Sequence, residues 1–316
     1  MKVYVKTPAR LHLGLIDLNG DLGRLFGGLG VGIDHPNVIL EAQRSETLAV
    51  AGERKEQVKT LAERFLDTYN VKANASINVK QTIPEHAGLG SGTQLALAVA
   101  TALSKLFNVD ASIQELAEAM GRGQRTSIGT TIFEQGGFVV DGGKSASKNS
   151  FPTMILRQPF PQDWEFVVAI PNVKEGLAKN EETAAFRALS PMKAEDAGKM
   201  CRLTIMKLLP SLIEHDIKSF GEALTQIQIA VGDYFAEAQG GTYSSLTATE
   251  GIALMQKLGA YGTGQSSWGP AFYGLTQKEK AKEIELKVKA FLGKSVGGHV
   301  FVAKANNRGA YTKVTK

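Results

Sequence analysis

Residues 84–93 read Pro-Glu-His-Ala-Gly-Leu-Gly-Ser-Gly-Thr. Before them, Ala75, Ile77 and Val79 alternate with Ser76, Asn78 and Lys80, the period of a half-buried strand. After them, Gln94 to Phe107 is apolar almost all round, which predicts a buried helix. A glycine turn between strand and helix lets backbone approach a ligand closely. The first N–H groups of a helix lack internal acceptors, and the aligned peptide dipoles favour an anion there. Gly88, Leu89, Gly90, Ser91, Gly92 and Thr93 are therefore a candidate phosphate cradle, and the Ser91 and Thr93 hydroxyls can bind the anion or a metal ion. A bare turn of this kind is shared with ordinary tight turns. It lacks the Gly-Lys-Ser/Thr of a Walker loop and the glycine spacing of a dinucleotide fold.

Other stretches carry comparable chemistry. In the extended segment 7–18, Leu11, Leu13 and Leu15 share one face, and Arg10, His12 and Gly14 the other. Arginine beside histidine suits an acidic substrate group. Asp17 precedes the Asn19-Gly20 turn signal. Leu22 to Ile33 holds five glycines and Arg24, a strand that something approaches closely. Residues 121–143 gather Arg122, Arg125, Thr126, Ser127, Glu134 and Asp141 among glycines, the density of a site wall. Residues 259–270 form a second Gly/Ser loop, with Gly264, Ser266 and Ser267. His35, His86, His215 and Glu85 read as structural.

These stretches need a frame. The chain has 316 residues and 43% hydrophobic residues, enough for two modest domains with real cores. A net charge of +5 with mixed signs fits a phosphorylated substrate and does not call for nucleic acid. The one cysteine, Cys201, excludes a disulfide within the chain or a cysteine-rich metal site and reads as a small buried residue. The opening alternates like a strand rather than a secretory leader, and no apolar run is long enough to span a membrane, so a cytoplasmic protein is expected. Helices are predicted over 53–69, 113–120 (opened by a Ser112/Glu115 capping box), 194–209 (stopped by Pro210), 217–231, 247–258 and 276–292. Strands are predicted at 3–5, 137–140, 164–170, 271–275 and, last, 298–304. The polar link 145–150 divides the chain into 1–148 and 149–316. The second part mixes helices with few strands, an α+β arrangement.

Pro8–Gly14, Pro84–Gly92 and Gly262–Pro270 resemble, in order and spacing, the three motifs of the galactokinase, homoserine kinase, mevalonate kinase and phosphomevalonate kinase superfamily. Gly92 stands where its phosphate loop has a second serine. The resemblance implies a two-domain GHMP kinase-like fold. Its N-terminal domain is like domain 2 of ribosomal protein S5, its C-terminal domain is ferredoxin-like, and the site lies between them. The stretches 8–20, 88–94, 136–143 and 264–270 are more narrowly similar to the β-ribofuranosylaminobenzene 5′-phosphate synthases, a family acting early in methanopterin synthesis. That likeness implies transfer of phosphoribose from phosphoribosyl pyrophosphate to the ring carbon of 4-aminobenzoate or 4-hydroxybenzoate, with release of CO2 and pyrophosphate. It also implies Mg²⁺ and a homodimer. Many kinases of the superfamily carry an aspartate, serving as base, where this chain has Gly129, although the homoserine kinase branch manages without one. An ATP-dependent small-molecule kinase and a silent ligand binder are the competing readings. On the synthase reading, 88–93 holds pyrophosphate, and Arg10, Arg24, Arg122 and Arg125 are candidates for the carboxylate or 5-phosphate. His12 is a donor or proton carrier, and Ser91, Glu134 and Asp141 are candidate metal ligands. Thr126, Ser127, Gly264, Ser266 and Ser267 line the walls.

Overall fold

Three antiparallel-dominated sheets carry the chain in the computed structural model, which describes residues 1–148, 150–173 and 189–315. The first sheet contains β1 (Lys2–Lys6), β4 (Ile39–Ser45), β5 (Ala49–Gly52), β6 (Asn74–Gln81) and β14 (Tyr311–Thr315), in the order β14-β1-β4-β6-β5. The second contains β2 (Ala9–Asp17), β3 (Arg24–Ile33), β7 (Phe138–Asp141) and β9 (Met154–Gln158), in the order β2-β3-β7-β9, with β8 (Lys144–Ser145) pairing the start of β3. The third contains β10 (Trp164–Pro171), β11 (Gly262–Gln265), β12 (Phe272–Gln277) and β13 (Gly298–Lys304), in the order β11-β12-β10-β13. Helices separate β10 from β11 and β12 from β13, so this sheet has the ferredoxin-like βαββαβ order.

The expected elements are present, with instructive differences. The helix Ser91–Phe107 starts three residues before the apolar run, directly on the glycine turn. The Ser112/Glu115 capping box forms, and both of its reciprocal bonds are made. Within 121–143 lies an unpredicted helix, Ile128–Gln135. Its Ile128 and Ile132 press against Gly28, Gly30 and Gly32 of β3, so those glycines admit a helix rather than a ligand. Pro210 does not end its helix. The turn Thr204–Leu208 has π geometry, with the Leu209 N–H bonding back to the Thr204 carbonyl, and Leu209–Ile213 continues past Pro210 directly after that widened turn. Residues 262–265, expected as loop, form β11.

Residue 148 does not divide the sheets. β9 follows it and pairs with β7, and β14, beyond the strand expected to be last, pairs with β1. Asn149, inside the expected link, lies outside the described residues. One continuous apolar core runs from Val3 on β1 through Leu95–Leu106 of the buried helix to Phe166, Phe220 and Tyr273. It joins the halves and leaves a cleft where the glycine loop, β2 and the 265–269 loop converge.

Candidate active site

The glycine loop is tied on two sides. The Arg10 N–H donates to the Leu89 carbonyl at 3.1 Å, and the Arg10 guanidinium donates to the Gly88 carbonyl. The Ser266 hydroxyl also donates to the Gly88 carbonyl, at 2.7 Å, and accepts the His12 N–H at 3.0 Å. The Ala271 N–H reaches the Ala87 carbonyl at 3.2 Å. The three stretches singled out in the sequence therefore meet, through backbone and one buried serine. Gly90 caps the following helix in the left-handed region (φ 80°), and a Cβ there would sit 2.9 Å from the Arg10 side chain. The 265–269 loop is held by Gln265, whose N–H donates to Gln228 and whose amide donates to the Ser267 carbonyl.

These contacts frame a cleft of about 720 Å³. Its lining includes Arg10, Arg54, Arg64, Arg122 and Arg125 together with Gly88, Gly90, Ser91, Gly92 and Thr93. It also includes Leu15, Val231, Phe235 and Trp268, which pack in one apolar cluster, the last two rings 4.5 Å apart at 57°. His12, His86, Glu85, Thr126 and Ser267 also line it. Glu85, set aside as structural, forms an ion pair with Arg54, and His86 stands in the wall with φ 51°. Arg54 and Arg64 were not singled out, because the charged face of their helix reads as solvated. Trp268 stands inside the Gly/Ser loop 259–270, and Phe235 lies just past the predicted helix 217–231, where a single aromatic carries no signal of its own.

Other candidates are elsewhere. Leu89, Ser127, Asp141, Gly264 and Ser266 are buried behind the cleft wall. Arg24 is exposed and donates to the Gly142 and Gly143 carbonyls and Thr153, which ties β3 to the 142–143 turn. Glu134 is exposed near the end of its helix and accepts from Gln135. Asp17 accepts the Asn19 and Gly20 N–H groups at the hairpin turn. Asp141 accepts the Ser127 N–H, the Ser127 hydroxyl at 3.1 Å and the Gly143 N–H at 2.9 Å. Burial raises its carboxyl to about 6 against those donors. It anchors the start of the Ile128–Gln135 helix and so places Thr126. Among the described residues no group of three or more His, Cys, Asp and Glu can hold a metal ion. The carboxylate lining the cleft, Glu85, is already paired with Arg54. The wall offers hydroxyls and cations, so a Mg²⁺ here would be held mainly through phosphate oxygens of a substrate.

His12 is 9% exposed, and its Nδ1 accepts the Gly14 N–H at 3.4 Å. Burial, reinforced by Arg10, lowers its pKa to about 3. It is a neutral imidazole, and the accepting Nδ1 leaves Nε2 as the N–H donor. The unfolded chain takes up this proton below about 6.5 and the folded chain does not until about 3, so stability is lost as pH falls through that window. At pH 5 this group alone should cost about 2 kcal/mol relative to neutral pH. Urea titrations of wild type and His12→Gln at pH 7.5 and 5 test this. A smaller acid loss in the variant is expected, and equal losses would refute the assignment.

The fold and its loops define the class. The chain matches "GHMP kinases N terminal domain" over residues 56–137 and "GHMP kinases C terminal" over 208–294. It superposes on the homoserine kinase from Cytophaga hutchinsonii with a TM-score of 0.72, 18% identity and coverage of 99% of this chain and 97% of that one. Within that class the chain belongs to the beta-ribofuranosylphenol 5'-phosphate synthase family. It is 36% identical to the Archaeoglobus fulgidus member, over 98% of this chain and 99% of that protein. It is 33% identical to the Methanothermobacter thermautotrophicus member, over 98% of each. Gly129, at the kinase-base position, packs against Thr93, where a Cβ would lie 3.1 Å from its methyl.

Proposed function

We propose that this chain joins the phosphoribosyl group of phosphoribosyl pyrophosphate to the ring carbon of a 4-substituted benzoate, releasing CO2 and pyrophosphate. Membership of the synthase family supports the reaction, and the cleft supports it independently. The single structural observation that carries it is one cleft lined both by five arginines and by an apolar cluster with two aromatic rings. A donor with two phosphate-bearing ends needs the first, and a flat aromatic acid needs the second. The word phenol in the relatives' name favours 4-hydroxybenzoate over 4-aminobenzoate.

The chemistry follows from that pairing. The ribose C1–O bond breaks, its electron pair leaves on the pyrophosphate, and positive charge spreads over the sugar ring. Guanidinium groups and loop N–H donors stabilise the charge gathering on the leaving group. The ring carbon bearing the carboxylate lies para to the hydroxyl, whose lone pair makes it nucleophilic. That carbon bonds to C1 of the ribose. The carboxylate leaves as CO2, and the electron pair of its bond restores the aromatic ring. The Phe235–Trp268 side would hold the ring in place and exclude water, which would otherwise capture the sugar cation. Neutral His12 can donate a hydrogen bond to an anion without drawing it away from the arginines. Mg²⁺ belongs to this reading as a companion of the pyrophosphate oxygens, with Ser91 and Thr93 the nearest hydroxyls of the loop.

A paired incubation tests the reading. One tube holds phosphoribosyl pyrophosphate, Mg²⁺ and either benzoate, and the other holds ATP with homoserine or mevalonate. Pyrophosphate release in the first tube, faster with 4-hydroxybenzoate, is expected. ADP in the second with the first silent would replace the synthase by a kinase, and silence in both would leave a binder. A cytoplasmic homodimer completes the proposal, and a monomer mass by sedimentation equilibrium would contradict its dimeric part.

A further inference from the structure

Beside the glycine loop, the cleft wall holds more positive charge than its own acids balance. Arg54 comes from the left-handed residue (φ 53°) before the helix Lys55–Thr68, and Arg64 from that helix. Arg122 follows the helix Ile113–Ala119. Glu85 answers Arg54. The Arg64 Nε donates to the Ala119 carbonyl at 2.6 Å, which fixes the guanidinium without neutralising it. Two features mark this wall as carrying more positive charge and more donors than the protein itself satisfies. Nε and Nη1 of Arg54 and Nε of Arg122 are buried with no hydrogen-bond partner in the protein, and such donors are costly to leave unmet. Burial also lowers the pKa of both arginines, and Arg64 and Arg54 lower that of Arg122 further, so the three charges act on one another.

The glycines nearby leave space for these side chains. A Cβ at Gly92 would lie 3.3 Å from Nη1 of Arg122, and one at Gly121 would lie 3.1 Å from Nη1 of Arg64. Gly92 is the position at which this chain departs from the serine of the superfamily's phosphate loop. The departure therefore lets the Arg122 guanidinium lie against the loop more closely than a side chain at this position would comfortably allow.

We infer that Arg54, Arg64 and Arg122 form a diphosphate clamp continuous with the glycine loop, seating the leaving group of the sugar donor. The inference rests on the proposed reaction for the identity of the diphosphate, but the clamp can be measured without turnover. Three guanidinium groups beside the backbone N–H groups of the loop match a ligand of several negative charges and many acceptor oxygens better than a single phosphate. When the C1–O bond breaks, the electron pair goes to the diphosphate oxygen, and the fixed cations meet the growing charge without reorganising.

The test is calorimetric titration of inorganic pyrophosphate and of orthophosphate into the full chain and into Arg64→Ala, Arg122→Lys and Gly92→Ser. Far-ultraviolet circular dichroism and melting curves report that each variant is folded. Arg64→Ala and Arg122→Lys should each weaken pyrophosphate by about 10- to 100-fold, with a smaller effect on orthophosphate. Gly92→Ser, which keeps every charge but displaces Arg122, should weaken it by about 10-fold. Unchanged pyrophosphate affinity in folded variants would overturn the clamp even if the enzyme turns over its substrates. Arginine-dependent pyrophosphate binding without turnover of the donor and benzoate would keep the clamp and remove the synthase reading.

Discussion

Gly88→Ala is expected to lower kcat/KM by at least about 100-fold and to reduce thermal stability. Gly88 has φ 87°, where an L side chain costs about 1–2 kcal/mol. Its Cβ would also run into the Ser266 carbonyl oxygen, which belongs to backbone and cannot rotate away. Relief requires the loop and the 266–269 segment to part, and the Gly88 carbonyl would then lose Ser266 and Arg10 together. Displacing a phosphate cradle by an ångström is enough for the predicted loss. Gly198→Ala is the matching control. Gly198 lies inside the helix Ala194–Leu203, and nothing stands within 4 Å of its added Cβ. It should leave activity unchanged and raise stability by about 0.5–1 kcal/mol. Initial rates and melting curves of both variants decide the matter, and a Gly88→Ala enzyme of near wild-type rate would contradict the loop's role.

Trp268→Ala should raise KM for the benzoate by about 10- to 100-fold, the cost of losing the aromatic face and its apolar area. The KM for phosphoribosyl pyrophosphate should move less than about threefold, because every arginine of the cleft is kept. Trp268→Phe, which keeps a ring opposite Phe235, should recover most of the loss. Steady-state kinetics with each substrate varied separately give the split. Equal rises in both KM values would mean that Trp268 only supports the 265–269 loop.

Much of this site was legible in the chain. The glycine turn, the Arg10–His12 strand and the Gly/Ser loop stood out because each departs from what a core or a solvated surface needs. Their convergence followed from the family resemblance, and the structure shows its means, Ser266 and the Gly88 carbonyl. What stayed hidden had ordinary chemistry in ordinary patterns. Arg64 shares a helix face with Lys59, Glu56 and Glu63, and helical period cannot tell a face turned to solvent from one turned to a cleft. Trp268 stands in a Gly/Ser loop and Phe235 past a helix end, and neither position says which aromatics gather at a cleft. Arg24, Glu134 and Asp141 drew attention by being close in sequence to glycine-rich stretches, but β3, β7 and the helix between them carry these residues away from the cleft. The helix Ile128–Gln135 escaped because eight residues with two threonines and a glycine hold little helical signal, and its place is set by packing on the glycines of β3. β14 escaped because a five-residue terminal strand is made by its partner β1 more than by its own pattern.

The central claim is a carbon–carbon bond made as CO2 and pyrophosphate depart. The most direct measurement follows the atoms. Phosphoribosyl pyrophosphate labelled with ¹³C at ribose C1 is mixed with 4-hydroxybenzoate labelled with ¹³C at its carboxyl-bearing ring carbon, Mg²⁺ and enzyme, and read by NMR. The account predicts a one-bond ¹³C–¹³C coupling in the product, with CO2 and pyrophosphate formed in equal amounts. A product without that coupling, or pyrophosphate released without CO2, would contradict it.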